Sequence, residues 1–286
     1  MSGGLRAERR DARYVDSNAL REDPVDDMLG GHLALTFHAA EGRDLYLSLT
    51  RGYKAGGINT GSDVPAQLRT YDPEFLWNLE AGLKTRSADG RFDSQTSVFY
   101  MRRTDQQVSS SYQSDPTDPL TFLLLTDNAA RGRNYGVESQ LGWRAAQKLR
   151  LAATIGLLRA EFIDYTVAGR NLDGRAQPHA PGYQFGINAD ADLGAGFFAH
   201  VDATAVDSFY FSASHDQRST AYQLVGARVG WRSDRWTATL WSRNLLNEHY
   251  AVRGFYFGNE PPDYPDKRYV QNGDPRQIGA TVALTF

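Results

Sequence analysis

About twelve stretches of this chain alternate apolar residues with small or polar ones at a period of two. That is the period at which a β-strand turns successive side chains to opposite faces. In residues 277–286, Ile278, Ala280, Val282, Leu284 and Phe286 share one face, and Gln277, Gly279, Thr281, Ala283 and Thr285 share the other. In residues 75–84, Phe75, Trp77, Leu79, Ala81 and Leu83 oppose Asn78, Glu80, Gly82 and Lys84. Further on, Tyr135, Val137, Leu141 and Trp143 oppose Gly136, Glu138, Gln140 and Gly142, and Val225, Ala227, Val229 and Trp231 oppose Leu224, Gly226, Arg228 and Gly230. Alternation alone suits a strand of a soluble sandwich as well as a strand that faces lipid.

Two further patterns separate these readings. The connections sort into two classes. Short turns fall at residues 41–44, 87–90, 145–147, 194–196 and 233–234, and long polar loops fall at 55–72, 105–128, 161–181 and 245–275. The second pattern is charge: Glu80, Lys84, Asp93, Glu138, Asp190, Asp202 and Arg228 sit in mid-strand on the non-apolar faces. Inside a dry sandwich each unpaired charge would cost several kcal/mol, whereas a wet or plugged lumen accepts them. The pattern therefore predicts an all-β, antiparallel, up-and-down transmembrane β-barrel sheet of about twelve strands, each ~9–12 residues long.

The bulk composition agrees. A net charge of −3 argues against a nucleic-acid surface, so no nucleic-acid partner is expected. The absence of Cys excludes disulfides, thiolate metal sites and Cys nucleophiles. No run approaches the ~18 apolar residues of a transmembrane helix, which leaves a β-barrel untouched. The 15 Tyr, 14 Phe and 5 Trp suit the aromatic girdles of a barrel. The six His show no metal-ligand spacing, and no Gly-x-Ser-x-Gly occurs, so neither a resident metal or cofactor nor catalysis is expected. Residues 1–10 carry no apolar h-region.

Five segments carry a family resemblance. Arg51-Gly52-Tyr53-Lys54-Ala55-Gly56-Gly57-Ile58-Asn59 resembles a strand-to-loop segment of TonB-dependent outer-membrane receptors. Tyr71-Asp72-Pro73-Glu74, followed by Glu80-Ala81-Gly82-Leu83-Lys84, is similar to the next strand of those barrels. Asn134-Tyr135-Gly136-Val137-Glu138 resembles a later strand, and Arg243-Asn244-Leu245-Leu246-Asn247-Glu248-His249-Tyr250 resembles the segment after the penultimate strand. Gly273-Asp274-Pro275-Arg276, leading into the Phe-terminated strand, resembles the family's C-terminal signature.

The resemblance implies that residues 1–286 are the C-terminal half of a barrel of about 22 strands, without plug domain or signal peptide. It implies a Gram-negative outer-membrane location and, in the intact receptor, energy-coupled uptake of a scarce nutrient such as a ferric siderophore. The alternative is a truncated or small barrel acting only as a passive pore or structural remnant. Implied partners are outer-membrane lipid, the N-terminal plug and first half of the barrel, the TonB system through the plug, the barrel assembly machinery, and a metal-chelate ligand.

Candidate residues follow. Arg253, Tyr256, Tyr264 and Arg268 in the loop 250–269 are of the aromatic and guanidinium types that stack on and pair with such ligands. Glu80, Lys84, Glu138 and Arg228 are expected to face the lumen, where a plug would meet them. Phe286 resembles the terminal residue read during barrel assembly.

Overall fold

The computed structural model describes residues 1–286 except 18, 19, 62, 114, 116, 117, 119, 120, 168 and 169. Its strands are, in chain order, β1 (Ser2–Asp11), β2 (Tyr14–Val15), β3 (Arg21–Glu22), β4 (Val25–Ala40), β5 (Arg43–Lys54), β6 (Gly57–Ile58) and β7 (Thr70–Tyr71). There follow β8 (Glu74–Arg86), β9 (Phe92–Gln113), β10 (Phe122–Ala146), β11 (Leu149–Asp164), β12 (Thr166–Val167), β13 (Arg170–Asn171) and β14 (Tyr183–Gly194). The last are β15 (Phe197–Val206), β16 (Tyr222–Arg232), β17 (Trp236–Arg243), β18 (Ala251–Gly258), β19 (Asp266–Asn272) and β20 (Gln277–Leu284).

Twelve strands form one sheet in the order β1-β4-β5-β8-β9-β10-β11-β14-β15-β16-β17-β20. Every pairing is antiparallel and joins neighbours in the chain, so the expected up-and-down sheet is what forms. The eight remaining strands make four two-stranded ribbons that decorate the loops.

The short turns all lie at one end. Gly42 shows why such turns need Gly: its φ is +67°, and a Cβ there would sit 2.3 Å from the Arg86 carbonyl oxygen. Above each turn the outward face is apolar and uncovered, as with Leu33, Leu49, Leu79, Val98, Ile187, Val201, Val229, Leu240 and Val282. A continuous apolar face of this extent is not left to water. Aromatics bound it at both ends. Trp77, Tyr100 and Tyr135 mark the loop side, and Phe92, Trp143, Phe197, Trp231 and Trp236 mark the turn side. Phe92 and Tyr100 are eight positions apart on one strand, about 26 Å at ~3.3 Å per residue, or about 20 Å of height at a tilt of ~40°.

The buried apolar cluster is not in the wall. Val108, Phe162, Tyr165, Leu172 and Ala213 come together at the loop end, with the Phe162 and Tyr165 rings 4.7 Å apart. This core holds the loops over the sheet.

Two expected loops contain paired strands. β9 continues to Gln113 and β10 starts at Phe122, with the two ends paired, so much of 105–128 is a ribbon that rises beyond the apolar band. There both faces meet water or other loops, so the sequence loses the alternation that marks a strand lower down. Likewise 245–275 contains the hairpin β18–β19, in register from Ala251↔Asn272 to Gly258↔Asp266. The segment 14–27 also carries the β2–β3 ribbon and the start of β4, where buried Asp26 pairs with Arg10 at 2.8 Å.

Candidate functional site

The inner wall is built from cross-strand pairs in which one partner is Gly. Tyr46 faces Gly82, Phe99 faces Gly136, Phe198 faces Gly230 and Trp241 faces Gly279. A Cβ on Gly82, Gly230 or Gly279 would fall 2.3–2.5 Å from the ring opposite. Each large inward side chain thus lies flat along the wall over its glycine. Asp93 over Gly142 and Asp202 over Gly226 repeat the arrangement with carboxylates.

Of the candidate lumen residues, Glu80 and Lys84 are brought together around Tyr46. The Tyr46 hydroxyl donates to Glu80 Oε1 at 2.6 Å, and Lys84 Nζ lies 5.6 Å from the Tyr46 ring centroid. Glu138 sits on the same face, opposite Ser97, which itself is opposite Gly82. Arg228 is apart from them, opposite His200. That histidine lies between Asp190, at 2.7 Å from Nδ1, and Asp202, at 3.5 Å from Nε2.

At the loop end four segments enclose a cleft of about 670 Å³. The β9–β10 ribbon contributes Arg103, Gln106, Val108, Leu123 and Leu124; residues 177–179 contribute Gln177 and His179; the 211–215 segment contributes Phe211 and His215; and β18 contributes Arg253, Phe255, Tyr256 and Phe257.

Each wall is fixed from behind. Buried Glu74 accepts from Arg103 Nε and, at 3.0 Å, from the Gln107 backbone N–H. Gln177 donates to Asn134 Oδ1 and to the Glu161 carbonyl, both at 3.0 Å. Arg175 pairs with Asp216 at 2.7 Å, donates to the Ser212 carbonyl at 3.2 Å and lies 4.3 Å over the Tyr210 ring. Gln106 Oε1 is buried and has no hydrogen-bond partner among the described residues.

The two histidines are half-hidden by aromatic rings. His179 lies 5.2 Å from Phe209 and His215 lies 6.0 Å from Tyr256. Burial pushes both imidazoles below their ordinary range; the charge of Arg253 adds to this at His179, and that of Arg175 at His215. Both are therefore neutral near pH 7, and the formal charge on the cleft wall comes from Arg103, which Glu74 balances, and from Arg253.

Arg253 and Tyr256 thus stand on the cleft wall. Tyr264 and Arg268 do not: Tyr264 is at the hairpin tip with φ +45°, and Arg268 lies on β19, one strand further out, opposite Tyr256. Arg103, Gln106, His179 and His215 were not legible as site residues, because only the folded loops bring their segments together.

The family described as TonB dependent receptor-like, beta-barrel matches residues 1–245. Among curated proteins, the pesticin receptor of Yersinia pestis is 24% identical over 238 residues, covering 82% of this chain and 33% of that protein. The metal-pseudopaline receptor CntO of Pseudomonas aeruginosa is 20% identical over 261 residues, covering 89% and 33% respectively. The chain spans about a third of the length of these relatives. Among solved structures, the ferric yersiniabactin uptake receptor FyuA from Yersinia pestis superposes with a TM-score of 0.76 at 21% identity, over 99% of this chain and 43% of that one. The siderophore receptor PiuA from Acinetobacter baumannii superposes with a TM-score of 0.76 at 16% identity, over 99% and 40%. At these identities the structural likeness is one of fold.

Proposed function

The chain belongs to the TonB-dependent receptor-like β-barrel family of the Gram-negative outer membrane, and on that premise we propose that it is the ligand-binding C-terminal wall of a receptor for a metal chelate of the ferric-siderophore kind. In this reading residues 1–286 are one barrel portion. The loop-end cleft holds the chelate, and the rest of the receptor supplies the plug through which the TonB system acts. The flat inner wall faces that plug, with Glu80, Lys84, Glu138 and Arg228 as its charged contacts. Phe286, exposed just beyond β20, is the residue offered to the barrel assembly machinery.

The observation that carries the reading is the cleft's position and lining. It opens at the loop end, above the apolar band, and combines the guanidinium of Arg253 with Phe255 and Tyr256. Planar, often anionic chelates are bound by such groups through charge and stacking. Two of the relatives carry a metal chelate in their names, one being a ferric yersiniabactin uptake receptor and the other a metal-pseudopaline receptor.

The test is a fluorescence-quenching titration of the receptor, extracted from outer membranes, against a panel of ferric catecholate, hydroxamate and carboxylate chelates. Replacing Arg253 and Tyr256 together by Ala should weaken the best binder by about tenfold or more, the loss expected for central Arg and Tyr anchors. Arg268→Ala should leave it unchanged. If the double variant binds every chelate as well as the parent does, the cleft is not the ligand site.

A further inference from the structure

The outward face changes character just above its loop-side aromatic edge. Following the register across adjacent strands, Arg51 of β5 lies opposite Trp77 of β8, Trp77 opposite Arg102 of β9, Arg102 opposite Arg133 of β10, and Arg133 opposite Glu161 of β11. Arg159 of β11 joins the row opposite Tyr135. These positions share the face of the exposed Leu79, Val98, Tyr100 and Leu157, so four guanidinium groups stand on the lipid-facing side of five neighbouring strands. The turn-side edge of the same face is aromatic, and of the arginines there only Arg43 shares its parity, opposite Thr85.

The row is built rather than scattered. Glu161 is 4% exposed and uses both carboxylate oxygens on it: Oε1 accepts from Arg133 Nε at 2.9 Å and Oε2 from Arg159 Nε at 2.9 Å. Neither Nη group of Arg159 has a partner among the described residues. Arg51 is held flat, 4.5 Å over the Phe75 ring, by a hydrogen bond to the Leu29 carbonyl. Arg102 has no hydrogen-bond or ion-pair partner among the described residues, although it stands directly opposite Arg133. Like charges directly opposite across a ladder are destabilising. Four cations answered by one carboxylate leave an uncompensated positive surface at the depth where lipid headgroups begin.

We propose that this row is a lipid-phosphate site. It holds the phosphorylated headgroup of an anionic outer-leaflet glycolipid against the barrel wall, with Arg102 and Arg159 supplying free N–H donors and Trp77, Tyr100 and Tyr135 meeting the start of the acyl region. The occupant is a lipid rather than a soluble anion because the site adjoins the apolar band without a break, so one molecule satisfies both surfaces. Nothing in this assignment depends on what the cleft binds.

The experiment is native mass spectrometry of the receptor extracted from outer membranes into dodecyl maltoside. It is titrated with a bisphosphorylated, acylated glucosamine disaccharide, and separately with the same lipid lacking both phosphates. The parent should retain the phosphorylated lipid and release the other. Arg102→Gln combined with Arg159→Gln should weaken retention by about fivefold for each arginine removed. Arg43→Gln at the opposite edge should change nothing. Heat-modifiable migration reports folding; should the double variant misfold, Arg102→Gln alone, which loses no hydrogen bond or ion pair among the described residues, gives the same reading at about fivefold. Equal retention by parent and variant, equal retention of the dephosphorylated lipid, or full displacement by equimolar inorganic phosphate would each overturn the proposal.

Discussion

Glu161 is a buried carboxylate whose two partners are not buried: its side chain is 5% exposed, against 41% for Arg133 and 64% for Arg159. The asymmetry of exposure ranks the variants. Glu161→Gln releases two arginines that water can still solvate, so its cost is small. Replacing both arginines with Met strands the carboxylate, at a cost of about 3–5 kcal/mol. Hydrogen exchange of the amides in 131–134 and 158–164 should rise far more in the double arginine variant than in Glu161→Gln. His179 and His215 sit below the ordinary 6.5 because burial opposes the charged form. The unfolded loops therefore take up protons first as pH drops, and the cluster weakens below about 6.5. Exchange of the 207–219 amides should quicken on acidification in the parent and stay level in His179→Gln combined with His215→Gln.

Strands are where the sequence was most legible, and the glycine pairs show both why and how far. Alternation marks a strand only where its two sides meet different surroundings, lipid outside and a wet interior inside. That is why β8 and β20 could be read nearly to their ends. Above the band the contrast disappears. The upper half of β9, rich in Ser and Gln, and that of β10, which opens on the unbroken apolar run 122–125, therefore read as loop although their backbones stay paired. The site divided in the same way. Arg253 and Tyr256 were legible from residue type alone, but so were Tyr264 and Arg268, and only the β18–β19 register separates the two pairs. The inner glycines carried a signal that alternation could not decode, namely that each lies beneath its partner's side chain. Two substitutions separate the consequences. A Cβ at Gly82 meets the Tyr46 ring at 2.3 Å, and that ring can swing into the lumen at the expense of its bond to Glu80. A Cβ at Gly136 meets the Leu157 carbonyl oxygen at 2.1 Å, which is ladder backbone and cannot move alone. Gly136→Ala should therefore cost about 1–3 kcal/mol as an overpacked site, read as a lower temperature for the heat-modifiable shift. Gly82→Ala should leave that temperature nearly unchanged.

At the scale of the whole molecule the constraint is the sheet's edges. Among the described residues β1 pairs only with β4, and β20 only with β17. Their outer residues include Leu5, Ile278 and Val282, all strongly exposed, which places both strands in the same apolar band as the rest. A strand in lipid cannot leave its backbone N–H and C=O groups unpaired, since each would cost several kcal/mol. The two edges must therefore be satisfied either by each other or by further strands of the receptor. The proposed function requires the second arrangement, because a barrel that surrounds a plug needs about 22 strands. Cysteine cross-linking separates the alternatives with no background, as the chain has no Cys of its own. Leu5→Cys, combined in turn with Ile278→Cys, Ala280→Cys and Val282→Cys, places thiols on the outward face of both edges and covers neighbouring registers. In outer membranes treated with a mild oxidant, none of the three pairs should form a β1–β20 disulfide. Leu49→Cys with Leu79→Cys, directly opposite within the sheet, should cross-link readily as the positive control. A rapid disulfide between β1 and β20 would mean that twelve strands close by themselves, leaving an interior too narrow for a plug, and the receptor reading would fall with it.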